Sequence, residues 1–322
     1  MSENKVWFVT GASKGLGLVL VKQLLKNGNQ VAATSRTIND LIKVVNDNTK
    51  RFLPLTVDLT NEASVQNAIE KIIETFGKID VVVNNAGYGL GGSLEELTDE
   101  EIRQNFDVNV FGTLNVIRKT MPYLRKQKSG HIFNIASLAG YVGSMGFGSY
   151  SATKFAVVGL SESLAEEAKL FGIKVTMVAP GYFRTNFLSS GSVMYSKKQI
   201  EDYKAVHEVK DFLDNVMDGK QEGNPEGAVL AIIRTEAETD PPVHLLLGSD
   251  AYHVASEKVV TLQKEFDKWK DITCSTDFDK FFYLFTFDNT NYVNELSIWA
   301  AHCIFYLAWF FQLAGDPPSL SS

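Results

Sequence analysis

The chain has 322 residues, 45% of them hydrophobic and 21% charged, and its 31 Lys and Arg against 38 Asp and Glu give a net charge of −7. This composition excludes wholesale disorder and collagen-like repeats, allows one large or two small domains with a sizeable core, and argues against a protein whose main task is to grip nucleic acid. Two cysteines, Cys274 and Cys303, exclude a disulfide scaffold and fit a reducing compartment, and five scattered histidines offer no metal-ligand spacing.

Met1–Asn4 is polar and the apolar run after it is too short for a signal peptide, so a cytoplasmic protein is expected. Strand candidates follow in order at Val6–Thr10, Gln30–Ser35, Phe52–Asp58, Val81–Asn84, His131–Ala136 and Lys174–Ala179, each with few charges, as in strands covered on both faces. Helical patterns lie between them at Leu16–Asn27, Ile38–Asn48, Glu62–Phe76, Asp99–Gln127 and Ser149–Phe171. A further helix starts near Pro225 with Asn224 as its N-cap, and a seventh strand covers Val243–Leu247. This alternation predicts βαβ units in a doubly wound, parallel, seven-stranded α/β sheet of the Rossmann type. The domain is expected to span residues 1–277, with a mobile helical lid over about 186–224 in which His207 is exposed.

Residues 278–322 form an apolar tail of different composition: 13 of the 34 residues from Phe278 to Phe311 are aromatic, and Leu296–Ala314 carries no charge. Three readings stand for it. It packs on the domain or on an oligomer partner, it is an appended sequence without a selected role, or, less favoured for want of basic flanks, it anchors the chain in a membrane.

The first strand runs into Thr10-Gly11-Ala12-Ser13-Lys14-Gly15-Leu16-Gly17 and then a helix. Glycines at such a turn let backbone approach a pyrophosphate, and the helix N-terminus supplies N–H groups and the positive end of its dipole. Tyr150 and Lys154 are four apart on a helix and share a face. An ammonium beside a phenol favours the phenolate and lowers the tyrosine pKa from about 10, so that it can trade a proton with a substrate oxygen near neutral pH. Ser137, at the carboxyl end of the neighbouring strand, can hydrogen-bond the same oxygen. The strand-two end, Thr34-Ser35-Arg36-Thr37, has no acid to hold a ribose 2′-hydroxyl; Arg36 and Lys14 instead suit a 2′-phosphate, which favours NADP(H).

The Gly-x-x-x-Gly-x-Gly spacing after Thr10 resembles the short-chain dehydrogenase/reductase family. The resemblance recurs in Asn84-Asn85-Ala86-Gly87, Asn109, Ser137, Tyr150-Ser151-Ala152-Thr153-Lys154, Pro180-Gly181 and Thr185, and its wording is similar to the hydroxysteroid-dehydrogenase-like subgroup. It implies a catalytic group of Asn109, Ser137, Tyr150 and Lys154, with Asn109 linking Lys154 to solvent through a water. It implies a dinucleotide held by Gly11, Ser13, Lys14, Gly15, Leu16, Gly17, Arg36, Asp58, Leu59, Asn85, Ala86, Gly87, Pro180, Gly181 and Thr185, with Tyr150 and Lys154. Asp58 would hold the adenine amino group, serve as a helix N-terminal carboxylate, or both. The substrate pocket would draw on Tyr88–Gly92, Leu138–Phe147 and the segment after Thr185, which supply Tyr88, Leu138, Tyr141, Val142, Met145, Phe147, Phe187 and Tyr195, an apolar and aromatic set that suits a hydrophobic ketone, aldehyde or alcohol. The expected activity is NADP(H)-dependent interconversion of a carbonyl and an alcohol. The rivals are a 3-oxoacyl-thioester reductase and an NADP-binding sensor without turnover. A homo-oligomer, dimer or tetramer, is implied as well.

Overall fold

The computed structural model describes residues 4–188 and 191–277. Seven strands, β1 (Val6–Val9), β2 (Gln30–Ser35), β3 (Phe52–Thr56), β4 (Val81–Asn84), β6 (Gly130–Ile135), β7 (Ile173–Pro180) and β9 (His244–Leu247), form a parallel sheet of order β3-β2-β1-β4-β6-β7-β9. Its helices are α1 (Gly15–Lys26), α2 (Ile38–Val45), α3 (Glu62–Phe76), α4 (Asp99–Phe106), α5 (Gly112–Gln127), α6 (Gly148–Lys169), α8 (Pro225–Ala237) and α9 (Ser249–Cys274). The expected doubly wound sheet is therefore present, with all seven anticipated strands.

Period-two alternation sorts β1 between two cores. Trp7 and Val9 pack with Leu20, Leu24, Leu41 and Ile232 on the α1–α2–α8 face, while Val6 and Phe8 pack with Ile69, Ile72, Val116 and Leu164 on the α3–α5–α6 face. Fully covered strands must be apolar on both faces, which is why these runs lack charge. The strand order reverses between β1 and β4, and a crevice opens there at the carboxyl ends.

Local chemistry sets the helix ends. The Asn61 side chain caps α3 by accepting from Ser64 N at 3.1 Å, and Thr98 with Glu101 forms a capping box on α4. Asn224 caps α8 ahead of Pro225, as its sequence predicts. Helix α2 stops at Val45, three residues earlier than its pattern suggests, because Asn46 turns left-handed at φ 53°.

Two predicted features differ. The single helix expected over Asp99–Gln127 is three segments: α4, a π-helical stretch at Asp107–Phe111, and α5. The segment expected as a helical lid holds a short strand β8 (Val193–Tyr195), a 3-10 turn at Glu201–Tyr203, α7 (Lys204–Phe212) and a second π-helical turn at Leu213–Met217. Strand β8 pairs in parallel with β5 (Gly89–Gly91) as a separate two-stranded sheet.

The chain divides into two compact units, residues 1–263 and residues 264–322. The first carries the sheet. In the described part of the second, α9 continues to Cys274 with Phe266, Trp269 and Ile272 exposed. The apolar tail from residue 278 onward and its candidate span Leu296–Ala314 lie outside the described residues. Among the described residues no helix is long and apolar enough to cross a membrane.

Candidate active site

The loop between β1 and α1 uses its three glycines for three different reasons. Gly11 turns at φ +65°, and a Cβ there would stand 2.7 Å from Ala86 Cα, so both conformation and space forbid a side chain. Gly15 turns at φ +58° but faces open space. Gly17 lies within α1, and a Cβ on it would stand 2.4 Å from Asn85 Nδ2 and 2.6 Å from the Gly11 carbonyl oxygen. The close approach lets the Asn85 amide donate to Thr10 O at 3.0 Å and Gly11 O at 2.9 Å. The Thr10 hydroxyl in turn accepts from the Asn85 and Ala86 N–H groups at 3.0 and 3.1 Å. Strand ends β1 and β4 are thereby clasped together at the switch point.

Lys14, the N-cap of α1, gives the helix no side-chain cap, unlike Asn61, Thr98 and Asn224 at their helices. The amino end of α1, which carries the positive end of the helix dipole, forms part of the cavity wall through Ser13, Lys14, Gly15 and Leu16. Arg36 stands near enough to Lys14 that the lysine pKa is lowered, first by burial and then by repulsion from the guanidinium. The amino end of α1, a backbone too close for any Cβ, and two crowded cations together fit the phosphate groups of a dinucleotide. Asp58 is exposed and its Oδ1 accepts from Thr60 N at 3.0 Å and Thr60 Oγ1 at 2.7 Å. It does not act as the helix N-terminal carboxylate; Asn61 fills that place.

Across the cavity, α6 carries Tyr150 and Lys154 on one face. Lys154 Nζ, almost wholly buried, donates to Ile135 O at 2.8 Å and lies 5.7 Å from the Tyr150 ring centroid. Burial lowers its pKa to about 8. The expectation that Lys154 depresses the Tyr150 phenol is not met. Burial pushes the phenol up to about 12, the nearby Tyr182 adds to the rise, and interaction with the Ser137 hydroxyl only partly offsets it. Desolvation of the phenolate outweighs a lysine that spends its hydrogen bond on a carbonyl. At neutral pH the phenol is thus in its proton-donating form. Ser137 Oγ is held toward the site by accepting from Ala139 N at 3.1 Å.

Asn109 sits in the π-helical stretch, buried away from the cavity wall. Its Oδ1 accepts from Tyr88 N at 3.0 Å, and its Nδ2 donates to Tyr88 O at 2.9 Å and Thr153 Oγ1 at 3.0 Å. The wide turn places this amide between the β4–β5 loop and α6. Among the described residues its side chain makes no hydrogen bond to Lys154; it braces the two segments that flank the lysine.

One cavity of about 520 Å³ joins the two groups. Its wall includes every anticipated cofactor-side residue except Gly17, which is packed beneath Asn85, together with Ser137, Tyr150 and Lys154. Of the anticipated pocket residues, Tyr88, Leu138, Phe147 and Phe187 line it; Tyr141, Val142, Met145 and Tyr195 do not. Tyr141 instead hydrogen-bonds His244 Nδ1 at 2.6 Å, and Met145 is exposed. Tyr195 packs edge-on against Phe147 with centroids 6.3 Å apart, and Phe147 packs edge-on against Tyr150 at 6.4 Å. Ser144, Val193, Met194, Leu213 and Gln221, also on the wall, fall within the segments expected to supply the pocket or its lid, whereas Gln104 and Tyr182 were not anticipated there. Of these two, only Tyr182, directly after Pro180-Gly181, had a local signal. His207, expected to be exposed, is largely covered and its Nε2 donates to the buried Glu96 carboxylate at 2.7 Å.

Comparison with known proteins gives this arrangement its family. Residues 5–194 match the family model described as short chain dehydrogenase. Oxidoreductase BOA17 of Botryotinia fuckeliana is 36% identical over 276 residues, covering 85% of this chain and 99% of that protein. The 3-ketodihydrosphingosine reductase of Bacteroides thetaiotaomicron is 38% identical over 250 residues, or 76% of this chain and 88% of the other. A crystal structure of a short-chain dehydrogenase from Streptomyces avermitilis superposes with a TM-score of 0.79 at 34% identity, covering 86% of this chain and all of that one. ElxO with NADP bound superposes at a TM-score of 0.63 with 26% identity over 76% of this chain and 97% of that one. The chain belongs to the short-chain dehydrogenase/reductase family. It is an oxidoreductase of that family, whose structural neighbours bind NAD(P)(H).

Proposed function

We propose that the protein is an NADP(H)-dependent oxidoreductase that interconverts a carbonyl and an alcohol on an apolar small molecule. The observation that carries this reading is the single cavity whose wall holds the half-buried Tyr150 and Ser137 together with the glycine-rich loop, Lys14 and Arg36. When bound, the nicotinamide supplies or accepts a hydride.

This chain's residues do the rest. The glycine loop and the amino end of α1 receive the diphosphate, and Arg36 with Lys14 receives a 2′-phosphate, where a carboxylate would repel it. Lys154, Pro180, Gly181 and Thr185 line the same cavity and would hold the nicotinamide end of the dinucleotide. Ser137 holds the substrate oxygen by a hydrogen bond. Tyr150, protonated at neutral pH, donates its proton to that oxygen in reduction and takes it back in oxidation. Lys154 adds positive charge beside the phenolate that the donation leaves, and Asn109 positions the segments around the lysine. Tyr88, Leu138, Phe147, Phe187, Val193, Met194 and Leu213 give the substrate an apolar berth, and the ketone-reducing relative named above supports a carbonyl of that kind.

The test is oxidation of NADPH and of NADH by the purified chain over 2-decanone, trans-1-decalone, decanal and a 3-oxodecanoyl thioester of N-acetylcysteamine. Turnover with NADPH on a ketone or aldehyde, and at least tenfold less with NADH, is expected. Turnover confined to the thioester would replace the reading with acyl-thioester reduction. NADPH binding with no turnover on any of them would favour a sensor.

A further inference from the structure

The least explained group in the protein is a buried carboxylate outside the proton-transfer set. The Glu96 side chain is 1% exposed, in the turn between β5 and α4. Burying a carboxylate costs several kcal/mol unless its oxygens are satisfied. Glu96 is satisfied mainly by residues about a hundred positions away. Its Oε1 accepts from Ile200 N at 2.8 Å and meets His207 Nε2 at 2.7 Å, while Oε2 accepts from its own turn, Ser93 N, at 2.9 Å. The Glu96 main-chain carbonyl also accepts from the Ser196 hydroxyl at 2.8 Å. Beside it, Tyr203 donates to Glu95 at 2.8 Å. Although burial opposes ionisation, the Ile200, Ser93 and His207 hydrogen bonds hold the Glu96 carboxyl down at about 2.

All of these donors except Ser93 belong to the segment that covers the cavity. From it, Val193, Met194 and Leu213 face the cavity, and Tyr195 reaches Tyr150 through Phe147 by two edge-on ring contacts. The neighbouring backbone makes room for the same segment. A Cβ on Gly91 would stand 2.6 Å from the Tyr195 ring, and one on Gly92 2.9 Å from Ser196 Cβ.

We propose that Glu96 is a positioning residue for the reaction: it anchors residues 193–217 over the cavity through Ile200 and His207, and so sets the apolar wall that binds substrate beside Tyr150. The inference rests on the functional reading above only for its kinetic consequence. The anchoring itself is independent of that reading.

The test compares Glu96→Ala and Glu96→Gln in the full chain by hydrogen–deuterium exchange and by kinetics. A glutamine carbonyl can keep both cap donors, Ile200 N and His207 Nε2, and gives up the Ser93 contact; alanine keeps none. In Glu96→Ala, amides of residues 193–217 should exchange about tenfold faster or more, with β1, β4 and β6 unchanged. The KM for 2-decanone, or for the panel carbonyl of highest turnover, should rise about tenfold, with kcat within about threefold and the NADPH Kd within about twofold. Glu96→Gln should restore most of both. Unchanged exchange over 193–217, faster exchange spread equally through the sheet, or a fall in kcat at constant KM would overturn the proposal. If the wild type turns over none of the carbonyls, the functional reading fails and the exchange result alone decides the anchor.

Discussion

The two walls of the cavity are made of different material. The cofactor-side wall rests on close-packed backbone: Gly11 approaches Ala86 until no added carbon fits, Gly17 packs as tightly beneath Asn85 behind the wall, and Asn85 and Thr10 tie the strand ends together. The cap-side wall is side chains, Val193, Met194 and Leu213, held at a distance by one buried carboxylate. A backbone wall admits a ligand part of fixed shape and tolerates almost no substitution. A side-chain wall can change its lining while its anchor stays, which suits the part of a site that selects among substrates.

The sharpest way to probe where the walls meet is Tyr150→Phe. Removing one oxygen takes the proton donor and leaves the ring contact with Phe147. Turnover should fall by about a hundred- to ten-thousandfold while NADPH affinity, measured by fluorescence titration, stays within about twofold. Turnover within tenfold of wild type would remove Tyr150 from the chemistry.

Next in size is the backbone packing behind that wall. Gly17→Ala puts a carbon 2.4 Å from Asn85 Nδ2 and must displace the amide that clasps Thr10 and Gly11. We expect NADPH affinity to fall by about a hundredfold and stability to drop by about 3 kcal/mol. Gly15→Ala is the control: the space is open, and only the left-handed backbone resists, at about 1 kcal/mol. Equal effects at the two positions would show that conformation rather than close approach makes the wall.

This contrast also explains what could be read from sequence. Runs with few or no charges, such as Val81–Asn84 and Val175–Pro180, announced the buried parallel strands, and glycine spacing announced the backbone wall, because both needs are local. The cap was legible only as a helical lid over about 186–224; its strand and its anchor were not. Strand β5 is Gly-Leu-Gly and pairs with a strand some hundred residues later, so neither carries a period. Glu96 lies in a run, Leu94-Glu95-Glu96-Leu97, that reads as solvated helix onset; only the fold shows it buried. The π-helical stretch at Asp107–Phe111 is equally silent, since its residues suit an α-helix and only the Asn109 contacts with Tyr88 and Thr153 select the wider turn.

A smaller effect separates the two phosphate readings. Arg36→Ala should weaken NADPH by about ten- to a hundredfold, the value of one charge-assisted pair, and leave NADH within about twofold. Parallel losses for both cofactors would place Arg36 on the diphosphate or the adenine and remove the basis for NADP preference. Lys14 is the less selective partner, since it also forms part of the wall at the amino end of α1.

The smallest expected shift tests the seam of the site without any substrate. Lys154 is buried with its pKa lowered to about 8 from 10.5. Below pH 8 it is charged in both folded and unfolded chains, and the folded state bears the full cost of burying that charge. Between pH 8 and 10.5 the folded state sheds its proton first, and the cost fades; above 10.5 it is gone. Lys154→Met removes a penalty of roughly 3 kcal/mol at pH 7 and forfeits the hydrogen bond to Ile135 O, worth about 1 kcal/mol. The variant should therefore melt a few degrees above wild type at pH 7, by differential scanning calorimetry, and at or below it at pH 10.5. Tyr150, whose own ionisation lies between 10 and about 12, is common to both proteins and cancels in the difference. A methionine variant less stable than wild type at pH 7 would mean that the buried ammonium has found more stabilisation than one carbonyl supplies. The lysine would then be a structural part of the backbone wall as well as a charge held ready beside Tyr150.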